Sequence, residues 1–244
     1  MRKILKSFAI SLILLLTIPT IASASDASLK RVMGFSPDGK YFAYEQYGYH
    51  DGSGFPYAEI YFINTVNNSW VPDAPPIRVL IKDEKASITQ ARDIAIRKAT
   101  PFVKKLKTLT NGFILVSNPI TQLDRNKYKT HFGTHPGAPT LNQFKMSLGL
   151  KSVTSSKCSK LTNKTPKIFS LSLNSVNNKK ISMTYNDKSL PTSRGCPLDY
   201  SISDIHYFEA NNGDAVFLTF INVMKLGFEG LDRRFMVIPF FIKK

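Results

Sequence analysis

Residues 215–225 read AVFLTFINVMK, and this stretch constrains the fold more than any other. Val216, Leu218 and Phe220 alternate with Phe217, Ile221 and Val223. A β-strand sends successive side chains to opposite faces, so both faces of this one are apolar. Such a strand belongs inside a sheet that is covered on each side. It is strand-length and includes Thr219 and Asn222, so it is no bilayer span.

One cover is expected to be a helix over about 87–107. Ser87 followed three residues later by Gln90 fits a capping box. Ile88, Ala91, Ile94, Ala95 and Ala99 fall at helical spacing, with Arg92, Asp93, Arg97 and Lys98 opposite. Pro101 is expected to kink or end the helix, with Phe102, Val103 and Leu106 forming a second short turn. Lys104, Lys105 and Lys107 raise a membrane-surface alternative, but the Ala-rich apolar face is too weak for it. One face of the 215–225 strand is expected to meet this helix.

The remaining pattern is mainly β, an antiparallel sheet or sandwich. Arg31 to Phe35 and Tyr41 to Tyr47 flank Ser36-Pro37-Asp38-Gly39, whose Pro presets φ and whose Gly accepts positive φ. Ala58 to Thr65 and Ser69-Trp70-Val71 complete four short strands, the size of one β-propeller blade. A propeller would repeat that unit, yet Ser-Pro-Asp-Gly occurs once and a helix interrupts the strands. The full propeller is therefore rejected. Further strands are expected at Phe113 to Ser117, Lys167 to Leu173, Lys180 to Tyr185, Tyr200 to Glu209 and Arg233 to Ile242. Val176-Asn177-Asn178 reads as a turn. Residues 124–166, rich in Lys, Asn, Ser, Thr and Gly, read as irregular surface with apolar anchors between Phe144 and Leu150.

The N-terminus is expected to direct export. Met1-Arg2-Lys3 and Lys6 precede an uncharged, mostly apolar run from Phe8 to Ile18, and Ala22-Ser23-Ala24 offers a cleavage site. The expected organisation is a signal peptide over 1–24 and a single β-rich exported domain over 25–244; the alternative is an uncleaved membrane anchor. No transmembrane helix is expected in the mature chain. Cys158 and Cys196 are the only cysteines, and an oxidising compartment makes a disulfide between them the default. No other Cys or His stands at zinc-ligand spacing, and a catalytic thiol would be hard to keep reduced after export.

The chain carries 33 Lys plus Arg against 17 Asp plus Glu, a formal charge of +16 that becomes +13 without Arg2, Lys3 and Lys6. Such a balance favours anionic partners, such as an anionic envelope component, or an envelope protein. The lysines are scattered, as the coding bias of an AT-rich genome would also leave them, and no nucleic-acid motif is present.

Three stretches carry a family resemblance. They are Gly34-Phe35-Ser36-Pro37-Asp38-Gly39 with Phe42-Ala43-Tyr44-Glu45, then Asp51-Gly52-Ser53-Gly54-Phe55-Pro56-Tyr57, then Gly227-Phe228-Glu229-Gly230 with Asp232-Arg233-Arg234-Phe235. Together they resemble the end motifs of the DUF2259 family, predicted secreted proteins of alphaproteobacteria. The resemblance implies export but no activity, so it carries over no catalytic residue.

Chemistry is sparse. His131 and His135 are four apart, but Gly133 and Pro136 oppose a helix and no Glu adjoins His131, so no metal is expected. Gly-x-Ser-x-Gly, a Walker loop and a dinucleotide fingerprint are absent, and no cofactor is expected. The binding candidates are Tyr47, Asp51, Phe55 and Tyr57 in and beside the 49–57 loop, and Glu229, Asp232, Arg233 and Arg234 in the last turn. The aromatics, Tyr49 among them, are read as exposed and able to stack on sugar or peptide, with core or interface the equal alternative. The Arg pair can hold a carboxylate or phosphate bidentately, or the turn can simply pair with the loop or a sheet edge. The first functional reading is an exported, periplasmic, non-enzymatic binding or envelope-associated protein. The alternatives are a hydrolase of envelope polymer using Glu45, Asp51, Glu229 or Asp232 as acid and base, and a secreted effector.

Overall fold

The computed structural model describes residues 25–176, 181–228 and 230–244. The signal-peptide expectation and the Asn177-Asn178 turn lie outside them. Thirteen strands form three antiparallel sheets among the described residues. The first sheet runs β1 (Leu29–Phe35), β2 (Tyr41–Tyr49), β3 (Pro56–Asn64), with β4 (Ser69–Trp70) and β5 (Ile77–Leu80) both on the far side of β3. The second runs β13 (Leu231–Ile242), β12 (Ala215–Leu226), β11 (Pro197–Glu209), β6 (Phe113–Ser117). The third runs β10 (Ser182–Asn186), β9 (Lys167–Ser175), β8 (Gln143–Ser152), β7 (Lys129–Gly133).

The alternation along β12 sorts these sheets into layers. Val216, Leu218 and Phe220 pack with Phe42, Tyr44 and Ile63 of the first sheet. Phe217, Ile221 and Val223 pack with Met146, Leu148, Leu171 and Leu173 of the third. The second sheet is therefore the middle layer, covered on both faces by other sheets. Phe220, fully buried, lies 5.3–6.3 Å centroid to centroid from the rings of Phe42, Tyr44, His206 and Phe235. The expected helix cover of β12 is corrected here. Helix α1 (Ile88–Leu106) lies on the opposite face of the first sheet, burying Ala91, Ala95, Ala99, Val103 and Leu106 against Ala43, Ala58, Ile60 and Phe62. Its alanines suit a helix pressed closely onto β2 and β3.

The capping box forms as expected: Gln90 N donates to Ser87 Oγ at 3.2 Å, and Ser87 N to Gln90 Oε1 at 2.7 Å. Pro101 does not end the helix, which runs on to Leu106. Burial of Val103 and Leu106 continues the contact and offsets the hydrogen bond that proline lacks. Under α1, Glu45 is fully buried and accepts from Arg31 Nε at 2.8 Å and from Arg92 Nε and Nη2 at 2.9 Å.

The Ser-Pro-Asp-Gly hairpin joins β1 to β2. Ser36 Oγ donates to Asp38 Oδ1 at 2.6 Å and accepts from Tyr41 N at 2.9 Å, and Gly39 takes φ 71°. No side chain but hydrogen adopts that φ freely. Residues 124–166 are not irregular surface: β7 and β8 occupy much of them, with a short helix α2 (Ser156–Ser159) after. Phe144, Met146 and Leu148 alternate inward along β8 while Lys145 points out. Cys158 on α2 and Cys196, the residue before β11, are bonded, with Cα atoms 5.5 Å apart. The bond ties the β8–β9 connection to the middle sheet. Among the described residues no helix is long and apolar enough to cross a membrane.

Two stability outcomes follow. Reduction of the disulfide, or the double change Cys158→Ala with Cys196→Ala, is expected to cost about 2–4 kcal/mol in urea unfolding. His206 lies inside the first interlayer core, where burial lowers its pKa to about 4; Asp204 opposes that shift and Lys30 adds to it. Between about 4 and the usual 6.5 only the unfolded chain holds the proton. Stability is thus full above pH 6.5, falls as pH drops through this window, and levels below about 4 for this group. His206→Phe keeps a ring against Phe220 and removes the titration. The natural protein is expected to lose on the order of 3 kcal/mol more than this variant between pH 7 and 4; parallel curves would contradict the assignment.

Candidate functional site

The two end motifs meet, and most of their side chains are consumed in the meeting. Residues 26–28 lie alongside β13: Arg233 N donates to Asp26 O at 2.8 Å, and Ser28 N to Arg233 O at 3.1 Å. Tyr57, expected to be exposed, is 2% exposed. Its hydroxyl donates to Asp26 Oδ1 at 2.8 Å and lies 2.6 Å from Ser28 Oγ. Arg234 pairs with the other oxygen of Asp26, and its guanidinium sits 4.6 Å over the Tyr57 ring. Arg233 Nη2 donates to Ser28 O at 2.8 Å, and burial lowers the Arg233 pKa. Asp232 accepts from Asp26 N at 3.3 Å and stands 4.0 Å from Lys225.

The loop and the turn also touch at their tips. Gly52, at φ +78°, has Phe228 ring atoms 3.2–3.3 Å from where a Cβ would stand, so a larger residue would displace that ring. Phe228 is 79% exposed. Asp51 and Phe55 are half-buried in the loop, and Glu229 lies outside the described residues. Tyr47 is separated from all of these. It pairs with Ala58 and faces α1, where Arg92 lies 4.0 Å over its ring. Glu45 shares that face, across the first sheet from Tyr57.

A cleft of about 700 Å³ lies beside this junction, and it includes Arg234. Its origin is an unequal length of layers. The middle sheet stops at β13, while β3, β4 and β5 of the first sheet continue past it. On the other side, Tyr185 of the edge strand β10 and the turn 191–195 extend past it as well. Stacked sheets lie about 10 Å apart, so the gap between the two overhangs spans about 20 Å. The cleft is the place a further strand of the middle sheet would take.

Each wall is locally determined. From the first sheet, Gln46, Glu59 and Tyr61 project toward the cleft because their neighbours Tyr47, Ala58 and Ile60 face α1. Glu59 Oε2 accepts from Gln46 Nε2 at 2.8 Å and from Tyr61 Oη at 2.9 Å. Burial, with the Glu59 charge beside it, raises Tyr61 to about 12, so its hydroxyl stays protonated and donating. Trp70 is 48% exposed, and the Arg78 guanidinium lies 5.9 Å from its ring and 6.0 Å from that of Tyr61. The opposite wall is rigid. Arg194 grips Asp187 through Nη1 at 2.5 Å and Nη2 at 2.8 Å, covers the Phe169 ring at 4.9 Å, and sits two residues before Cys196.

The lining is electropositive. Arg78, Arg194, Lys225 and Arg234 line it, against Glu59 as the sole carboxylate among the described residues. Arg194 and Arg234 hold close carboxylate partners, whereas Arg78 Nε is 3.7 Å from Glu59 and Lys225 Nζ is 4.0 Å from Asp232. These two retain donors for a ligand. Gln46, Glu59, Tyr61, Trp70, Arg78, Tyr185, Arg194 and Lys225 were not among the residues nominated from sequence. No short motif joins them, because they come from three sheets. Only the alternation along β3, with Glu59 and Tyr61 on the face away from the helix, carried a signal.

No curated protein and no solved structure matches the chain. The profile of the family described as "Predicted secreted protein (DUF2259)" matches residues 43–240. That span holds every residue lining the cleft and both halves of the disulfide, and the chain belongs to this family of predicted secreted proteins.

Proposed function

We propose that this is an exported, periplasmic, non-enzymatic binding protein that holds an anionic envelope component in the cleft beside β13. The observation that carries the reading is the cleft itself: an open gap between two overhangs, with one half-exposed tryptophan and two cations with donors to spare. Concave sites with an aromatic platform and a few placed polar groups are the usual form of a ligand site. The family's description as predicted secreted and the Cys158–Cys196 bond support export. Binding is favoured over hydrolysis by the acids. Glycoside hydrolysis generally takes two carboxylates facing one bond, and among the described residues Glu59 stands without a second in the lining. Glu45 is spent on two arginines beneath α1, and Asp232 on the N-terminal segment.

Trp70 is the only tryptophan in the chain and reports on the cleft directly. Titration with purified anionic envelope polymers, lipopolysaccharide and peptidoglycan fragments among them, is expected to shift its emission saturably and shield it from iodide. The shift should weaken with salt and fall at least about tenfold in affinity in Arg78→Gln with Lys225→Gln, the loss of roughly one charge-assisted contact. Trp70 emission unmoved by every polymer, or release of cleaved product during incubation, would overturn the reading.

A further inference from the structure

The floor of the cleft is a strand edge, and its hydrogen-bonding groups can be followed residue by residue. In the β12–β13 ladder, residue pairs alternate between bonded and non-bonded. Phe235 is a non-bonded position. Its N–H points away from β12 and donates to Gln46 Oε1 at 2.8 Å, and its carbonyl accepts from Tyr44 Oη at 3.2 Å. By the same alternation Arg233, Val237 and Pro239 also present their groups outward. Arg233 is paired by Asp26 and Ser28. Pro239 has no N–H to present. Val237 remains, a cleft-lining residue whose outward N–H and C=O have no partner among the described residues.

The missing strand of the middle sheet is thus replaced piecewise, by backbone at 233, by side chains at 235 and by proline at 239. Within the cleft lining one donor–acceptor pair is left, at 237; Phe241, a further outward position, lies beyond the lining. The pair at 237 is too short a window for an added β-strand, which needs pairing at successive outward residues. Its N–H suits a single carbonyl acceptor, since one trans amide cannot meet both groups of the same residue. Around it the cleft offers Trp70 as a flat apolar platform, Arg78 next to that ring, and hydroxyl or amide groups on Tyr61, Asn68 and Thr192.

We propose that the cleft takes an N-acylated, acid-bearing sugar residue, its ring on Trp70, its acid on Arg78 or Lys225, and its amide on the Val237 edge. The proposal rests on the binding reading above and narrows its ligand. The N-acyl carbonyl accepts from the outward Val237 N–H, and the acyl N–H, trans to that carbonyl, points away from the strand. Hydroxyls suit the mixed donors and acceptors of the walls. The sugar face suits an indole that is open on one side.

Three probes separate the parts: N-acetylmuramic acid, N-acetylglucosamine, which lacks the acid, and 3-O-carboxyethylglucose, which has a hydroxyl in place of the acetamide. Each is titrated by calorimetry and by Trp70 emission. N-acetylmuramic acid is expected to bind at least about tenfold more tightly than either of the others, the cost of one buried polar contact left unmade. Arg78→Gln with Lys225→Gln should reduce it to the level of N-acetylglucosamine. Val237→Pro should reduce it to the level of 3-O-carboxyethylglucose, since proline deletes the outward N–H without touching the ladder to β12. If that variant fails to fold, the amide resonance of Val237 in the natural protein serves instead and should move with the two acetylated probes only. Equal binding of all three sugars would overturn the proposal, as would tighter binding of the capped dipeptide N-acetyl-alanyl-glutamate. Either result leaves the wider binding reading standing if envelope polymers still shift Trp70. Silence of Trp70 to polymers and sugars alike sinks both.

Discussion

Everything in this structure depends on the double apolar face of β12. A strand with Phe217 and Ile221 on one side and Leu218 and Phe220 on the other must be covered twice. Helix α1 cannot supply either cover, because its apolar stripe is already spent on β2 and β3. Two further sheets do so, and the C-terminal strands end up in the middle of the stack. That arrangement places β13 at an edge between two layers that extend past it and so creates the cleft. Packing the core and forming the site are consequences of one constraint.

The edge of β13 also shows how an exposed strand is kept from pairing with other chains. Unpaired edges are a liability that folds manage with proline, charge or cover. Here Pro239 removes a donor, Gln46 and Tyr44 occupy the groups of Phe235, and residues 26–28 occupy those of Arg233. The Asp26–Tyr57–Arg234 cluster belongs to the same closure. Arg234 is held between the Asp26 carboxylate and the Tyr57 ring, and a buried carboxylate with such a partner is costly to separate. Residues that read as a ligand fork in the sequence are therefore the latch that seals the edge beside the cleft.

Much of the fold was legible because its signals are local. The Ser87–Gln90 box, the alternation of β12, the Ser-Pro-Asp-Gly turn and the cysteine pair each act over short distances or by elimination, and each forms. The misreadings arose where composition hid a pattern. Phe144, Met146, Leu148 and Leu150 alternate along β8, but Lys, Ser and Gly between them lower the average hydropathy of the region. The partner of α1 was misplaced because an apolar stripe identifies a buried face and not the surface it meets. The cleft was hidden for a deeper reason. Its walls come from β3, β5, β10 and the 191–195 turn, which only the order of strands brings together.

Residue-resolved amide exchange along β13 bears on the central claim most directly. With the edge closed at 235 and open at 237, the Phe235 amide should exchange slowly, with Arg234, Met236 and Ile238, which bond to β12. Val237 should exchange fastest of the five in the free protein and slow when N-acetylmuramic acid is added. A Val237 amide as protected as its neighbours in the free protein would mean that the edge is already filled, and would contradict the account.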